Sequence, residues 1–152
     1  MAFLNTKQSG GAAVAHYENV RRFKQFFGEF KHKYQGIRYL FLADASLVHK
    51  IDEPARLSAD IQNGVILECP AGIQADAFLL EFVSQNPDTS VIVSNDRFKD
   101  QKPPATSLPR WRFPAMIIQG QVIIPNLADI VCAENEHSAV TVAKSEAGAI
   151  VE

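Results

Sequence analysis

The chain has 152 residues, of which 47% are hydrophobic and 21% charged. A chain of that size and apolar content buries roughly two thirds of its unfolded surface, which excludes disorder over most of its length and fits one compact domain. Its formal charge of −2 is unevenly spread: residues 134–152 carry Glu134, Glu136, Glu146 and Glu152 against Lys144 alone, a net −3 that leaves +1 for the rest. Apolar runs such as Val65 to Leu67 and Met116 to Ile118 fall far short of the ~20 residues of a membrane span. The start, Met1-Ala2-Phe3-Leu4-Asn5, has no basic stretch leading into an apolar one. The reading is a cytoplasmic protein with no membrane segment. Two cysteines, Cys69 and Cys132, make no disulfide framework or metal-ligand spacing and read as idle thiols in a reducing compartment.

From Tyr17 to Tyr34 the apolar residues Val20, Phe23, Phe27, Phe30 and Tyr34 recur at spacings of three and four, which predicts a helix with one buried face. Arg21, Arg22, Lys24, Lys31 and Lys33 make its basic back. Gly36 ends that helix, and Ile37 to Leu42 reads as a short buried strand with Asp44 just past it. Pro54 opens a second helix through Gln62, and Asn63-Gly64 turns the chain into a strand from Val65 to Glu68. Pro70-Ala71-Gly72 leads to a third helix, Gln74 to Gln85, with Phe78, Leu79, Phe82 and Val83 facing inward. Ser90 to Val93 is the next strand. Phe113 to Ile118 and Gln121 to Ile124, joined by Gln119-Gly120, read as a hairpin at an antiparallel edge. Strands alternating with helices predict a mostly parallel sheet covered on both faces. Residues 134–152 lack aromatic residues and periodicity and read as a flexible acidic tail to a domain spanning residues 1–133.

In open α/β sheets the ligand site lies beyond the carboxyl ends of the strands, so Asp44 and Asp96, each directly after a strand, carry the most weight. A helical turn starting at Asp96 would project Asp100 from the same side. Asp76 sits in the first turn of its helix, where it can complement the helix dipole or join the other two acids. Three carboxylates together make an oxygen-rich pocket suited to Mg²⁺ or Mn²⁺. The bland account of Ser94-Asn95-Asp96 is a helix N-cap. No phosphate-loop glycine pattern, paired zinc histidines or nucleophile elbow is present in the sequence.

Gln74-Ala75-Asp76-Ala77-Phe78-Leu79-Leu80, followed by Val91-Ile92-Val93-Ser94-Asn95-Asp96-Arg97-Phe98-Lys99-Asp100, resembles the two acidic motifs of the NYN branch of the PIN-like nucleases, which contains the Regnase ribonucleases. The resemblance spans roughly residues 12 to 127. It implies an α/β, three-layer PIN-like (Rossmann-like) sandwich, a mostly parallel sheet with an antiparallel edge hairpin, and a divalent-metal-dependent endoribonuclease acting on single-stranded RNA. It assigns Asp76, Asp96 and Asp100 to catalysis and to binding of Mg²⁺ or Mn²⁺, with Asp44 as a further metal partner. The family's first strand ends in an Asp that is a principal metal ligand. Here Gly10 or Asn5 stands at that position, depending on the alignment, and a carboxylate is lost either way.

Asn95, Arg97, Lys99, Lys102, Arg110, Trp111 and Arg112 follow the acidic motif and suit phosphate contacts and base stacking; the competing account is a solvated loop with one buried tryptophan. The leading expectation is a ribonuclease-type domain with a weakened site. The alternative is a catalytically inactive PIN-like domain that binds RNA or a protein partner, including a second copy of itself. A receiver-like phosphoryl-transfer domain accounts for acids at strand ends but not for the Ser94 to Asp100 string.

Overall fold

A computed structural model describes residues 5–6, 14–129, 141–143 and 147–151, the first pair and the last two segments as backbone. It is a mixed α/β structure. Strands β1 (Asn5–Thr6) and β2 (Val14–Ala15) pair antiparallel as a small sheet of their own. They lead into helix α1 (Tyr17–Lys33), whose Val20, Phe23, Phe27 and Phe30 are buried as their spacing predicts. The start of α1 is capped from a distance. Asp52 Oδ1 accepts the Tyr17 amide at 2.8 Å while its other oxygen meets the His16 ring at 2.9 Å, so a loop carboxylate sits at the positive end of the helix dipole.

Strand β3 (Arg38–Ala43) follows, then a 3₁₀ turn at Leu47–His49, helix α2 (Pro54–Gln62) and strand β4 (Ile66–Glu68). Helix α3 (Ala75–Gln85) returns the chain to strand β5 (Ser90–Val93). Strand β6 (Arg112–Phe113) pairs parallel with β5. Strands β7 (Met116–Ile118) and β8 (Gln121–Ile123) form the hairpin that Gln119-Gly120 signals, and both turn residues have the positive φ of such a turn, 49° and 80°. The hairpin is a separate two-stranded sheet lying against α1, not the antiparallel edge of the main sheet. Its Ile117 and Val122 pack on the α1 core, and Gly120 lies against the Arg22 guanidinium, so side chains rather than a shared ladder hold it.

Strands β9 (Thr141–Ala143) and β10 (Ala147–Val151) complete a six-stranded sheet of order β4-β3-β10-β9-β5-β6. Strands β3, β4, β5, β6 and β9 run parallel, and β10 runs against them. Thr141–Ala143 and Ala147–Val151, within the stretch expected to be a flexible tail, thus stand in the middle of that sheet. Glu134, Glu136, Lys144, Glu146, Glu152 and Cys132 lie outside the described residues.

The alternation along the strands sends side chains to two cores. Phe41, Ala43, Val91 and Val93 meet α1 and α2, while Leu42 and Ile92 meet α3 with Cys69 and Phe98. On α3 the buried set is Ala75, Leu79, Leu80 and Val83, with Phe78 38% exposed and Phe82 half-buried. The expected inward Phe78 is thus replaced by Leu80: the apolar arc of α3 is wider than the face the sheet covers, and packing selects the part that lies over Leu42 and Ile92. Among the described residues no helix is long and apolar enough to cross a membrane.

Candidate functional site

Asp44 and Asp96 follow the carboxyl ends of the parallel strands β3 and β5, and Asp76 is the second residue of α3. Each acid is shaped by its own turn. The Asp44 carboxylate accepts the Ser46 amide at 2.8 Å, and the hydrogen bonds from the Ser46 hydroxyl and amide hold its carboxyl below the usual range. The Asp96 carboxylate turns back onto the Phe98 amide at 2.6 Å, while the Asp96 amide donates to the Ser94 hydroxyl at 3.0 Å. The expected helical turn from Asp96 to Asp100 does not form: Phe98 takes φ 50°, its ring goes into the α3 core, and the chain bends so that exposed Asp100 lies in a turn.

Two of the acids act electrostatically on a residue the sequence left idle. Cys69 is 1% exposed, directly after β4, with its amide donating to the Ala43 carbonyl at 2.8 Å. Burial pushes its thiol pKa up, and the Asp44 and Asp76 carboxylates add to the shift. The rule that singled out Asp44 and Asp96, a polar residue at the carboxyl end of a strand, applies equally to Cys69 after β4 and would have found it. One oxygen of Asp76, Oδ1, is shielded from solvent.

The metal centre that the resemblance implies would gather Asp76, Asp96 and Asp100 around one ion, since Mg²⁺ and Mn²⁺ take oxygen ligands. Among the described residues, no three His, Cys, Asp or Glu side chains gather in that way. Asp76, Asp96 and Asp100 are thus not gathered as a trio in this arrangement. Of the two positions that stand for the missing first-strand Asp, Asn5 lies in β1, outside the six-stranded sheet, and Gly10 lies outside the described residues.

The residues read as substrate contacts divide. Asn95 is committed to the fold, since its amide nitrogen donates to the Ala115 carbonyl at 2.8 Å and its carbonyl oxygen accepts the Ala115 amide at 3.0 Å. Arg112 donates to the Ser94 carbonyl at 2.9 Å, bracing the strand end from β6. Arg110 lies over the Phe113 ring at 5.6 Å. Trp111 is half-buried against Phe98, with ring centres 5.8 Å apart. Arg97, Lys99 and Lys102 are exposed on the acidic loop itself. Compared with models of protein families, with curated proteins and with solved structures, the chain finds no match.

Proposed function

We propose that this chain is a PIN-like domain that binds single-stranded RNA and cleaves it weakly or not at all. The observation that carries this reading is the division within one loop. One oxygen of the exposed Asp96 carboxylate accepts the Phe98 amide, which holds it to its own turn, whereas Arg97, Lys99 and Lys102 stand exposed around it. Hydrolysis through a divalent ion needs several carboxylates aimed at one point, and misplacement by ~1 Å costs on the order of a hundredfold in rate. Binding asks less. Phosphates are held by exposed cations, and a half-buried tryptophan beside them offers a stacking edge. The resemblance of the Ser94 to Asp100 string to NYN nucleases supports RNA as the polyanion. Helices α1 and α2 on one face of the sheet and α3 on the other are compatible with the three-layer arrangement of that class.

What supports the cleaving reading is that Asp44 and Asp96 directly follow the parallel strands β3 and β5. A single experiment separates the two. A 5′-labelled single-stranded RNA is titrated with the protein by fluorescence anisotropy, and the same mixture with Mn²⁺ is run on a denaturing gel. Binding that weakens as salt rises, with intact RNA on the gel, is the expected outcome. For single strands log K falls with log salt at about 0.7 per neutralised phosphate, so replacing Arg97, Lys99 and Lys102 with glutamine should flatten the slope by roughly 2. Robust cleavage that Asp96→Asn abolishes would restore the ribonuclease reading. Unchanged anisotropy in all conditions would remove RNA as the ligand.

A further inference from the structure

Strand β4 ends the six-stranded sheet, and among the described residues no strand pairs with its outer side. We infer that this edge is a docking site for an extended protein segment in which apolar and basic residues alternate, added to the sheet beside β4. The main chain of β4 is only half used. The Cys69 amide donates to the Ala43 carbonyl at 2.8 Å, so it points toward β3. Main-chain groups alternate in direction along a strand, which turns the N–H and C=O groups of Ile66 and Glu68 outward, where a further strand would pair with them.

The side chains of this edge differ between its two faces. Leu67 stands opposite Leu42 in the ladder and so lies on the face that α3 covers, yet it is 42% exposed, and Val65 just before β4 is 41% exposed. Ile73, on the way into α3, and Phe78 on α3 are exposed as well. On the other face Ile66 is buried in the α1 and α2 core, while Glu68 beyond it is exposed. A strand laid against β4 would set one side chain beside Leu67 and its sequence neighbour beside Glu68, so β4 itself dictates the alternation of its partner. Charge selects among partners. Residues 57–96, which build β4, α3 and β5, carry Asp60, Glu68, Asp76, Glu81, Asp88 and Asp96 and no Lys, Arg or His, so the lysine that commonly guards a bare edge is missing. Lys24 offsets Asp60, whereas Glu68, Glu81 and Asp88 are exposed. A second copy offering the same edge would set like charge against like, and a nucleic acid would be repelled; a basic segment is attracted. The exposed cations Arg97, Lys99 and Lys102 follow β5, toward the other end of the sheet, so this surface is separate from the loop proposed to bind RNA.

The test uses the full chain and a fluorescein-labelled peptide of alternating lysine and valine, with a glutamate and valine peptide of the same length as control. Anisotropy reads binding, and amide hydrogen exchange reads its place. The lysine peptide should bind, and exchange at the Ile66 and Glu68 amides should slow by about tenfold while the Leu67 amide, which already faces β3, changes little. Leu67→Lys puts a charge on the exposed apolar face and should weaken binding by about tenfold with an unchanged circular dichroism spectrum. Glu68→Lys should weaken it through charge alone, which keeps the test alive should Leu67→Lys perturb folding. Equal binding of the glutamate peptide would overturn the proposal, as would binding that leaves exchange at Ile66 and Glu68 untouched, or no binding at millimolar peptide. A dimer of the unmodified chain in light scattering that Leu67→Lys disperses would make a second copy the occupant of this edge and would equally refute it.

Discussion

Replacing Asn95 with alanine separates structure from ligand binding at the residue where the two accounts differ most. Its side chain makes two hydrogen bonds to one residue, donating to the Ala115 carbonyl at 2.8 Å and accepting the Ala115 amide at 3.0 Å. Ala115 is 2% exposed, so water does not readily replace those bonds. An orphaned buried polar group costs about 1–3 kcal/mol, and two orphaned together should cost Asn95→Ala ~2–4 kcal/mol after partial relaxation. With a urea dependence of about 1–3 kcal/mol per molar for a protein of this size, the unfolding midpoint should fall by roughly 1–2 M with little change in slope. Asn95→Asp sharpens the test. Its carboxylate still accepts the Ala115 amide but cannot donate to the carbonyl, and it sets a charge against that oxygen, so it should be at least as damaging despite its nearly identical shape. Urea titration followed by circular dichroism on the three proteins decides the matter. A midpoint unchanged in Asn95→Ala together with lost RNA binding would refute the structural role and return Asn95 to the set of substrate contacts.

Phe27 is fully buried among the rings of Phe26, Phe30, Tyr39 and Phe41, so Phe27→Ala should destabilise by about 3–5 kcal/mol in the same titration, and a loss below 1 kcal/mol would contradict this core. Asp60 accepts from Lys24 at 2.7 Å and from the Tyr17 hydroxyl at 2.8 Å, joining α1 to α2; Lys24→Met, which leaves Asp60 without its cation, should destabilise more than the double variant Lys24→Met/Asp60→Leu, as measured by a double-mutant cycle. Acid should unfold the protein through Asp44 and Asp52. Burial raises the Asp52 carboxyl, but the Tyr17 amide and the His16 ring outweigh it, and both acids are held below their ordinary values. Their stabilisation is complete above the ordinary carboxylate pKa of ~4 and is lost as pH falls through the lower folded values, so melting temperatures should be flat from pH 7 to 5 and drop below pH 4, less steeply in Asp52→Asn. Deleting residues 141–152 withdraws β9 and β10 from the sheet and should abolish cooperative thermal unfolding, whereas an unchanged melt would place both strands outside it.

The parts legible in the sequence are those whose cause is local. Phenylalanines at spacings of three and four bury one face of α1 wherever that face docks, Pro54 opens α2 because its ring suits a first helical turn, and Asn63-Gly64 and Gln119-Gly120 supply turns. The strands containing Leu42 and Ile92 are readable as short apolar runs, and with them the position of Asp44 and Asp96 at strand ends. What tertiary structure alone decided depends on partners distant in the chain. Which arc of α3 is buried is set by Leu42 and Ile92 beneath it, which turned Phe78 outward and Leu80 inward. Whether Asn95 meets a ligand or the fold is set by the Ala115 backbone twenty residues on. Cys69 and Asp44 follow adjacent strand ends because β4 pairs with β3 in the register that sets Glu68 opposite Ala43. The strands at 141–143 and 147–151 carry no strong local signal, since alanine and glycine are poor strand formers; what draws them into the sheet is the unpaired main chain of β3 and β5, and main-chain hydrogen bonding leaves no trace in side-chain pattern.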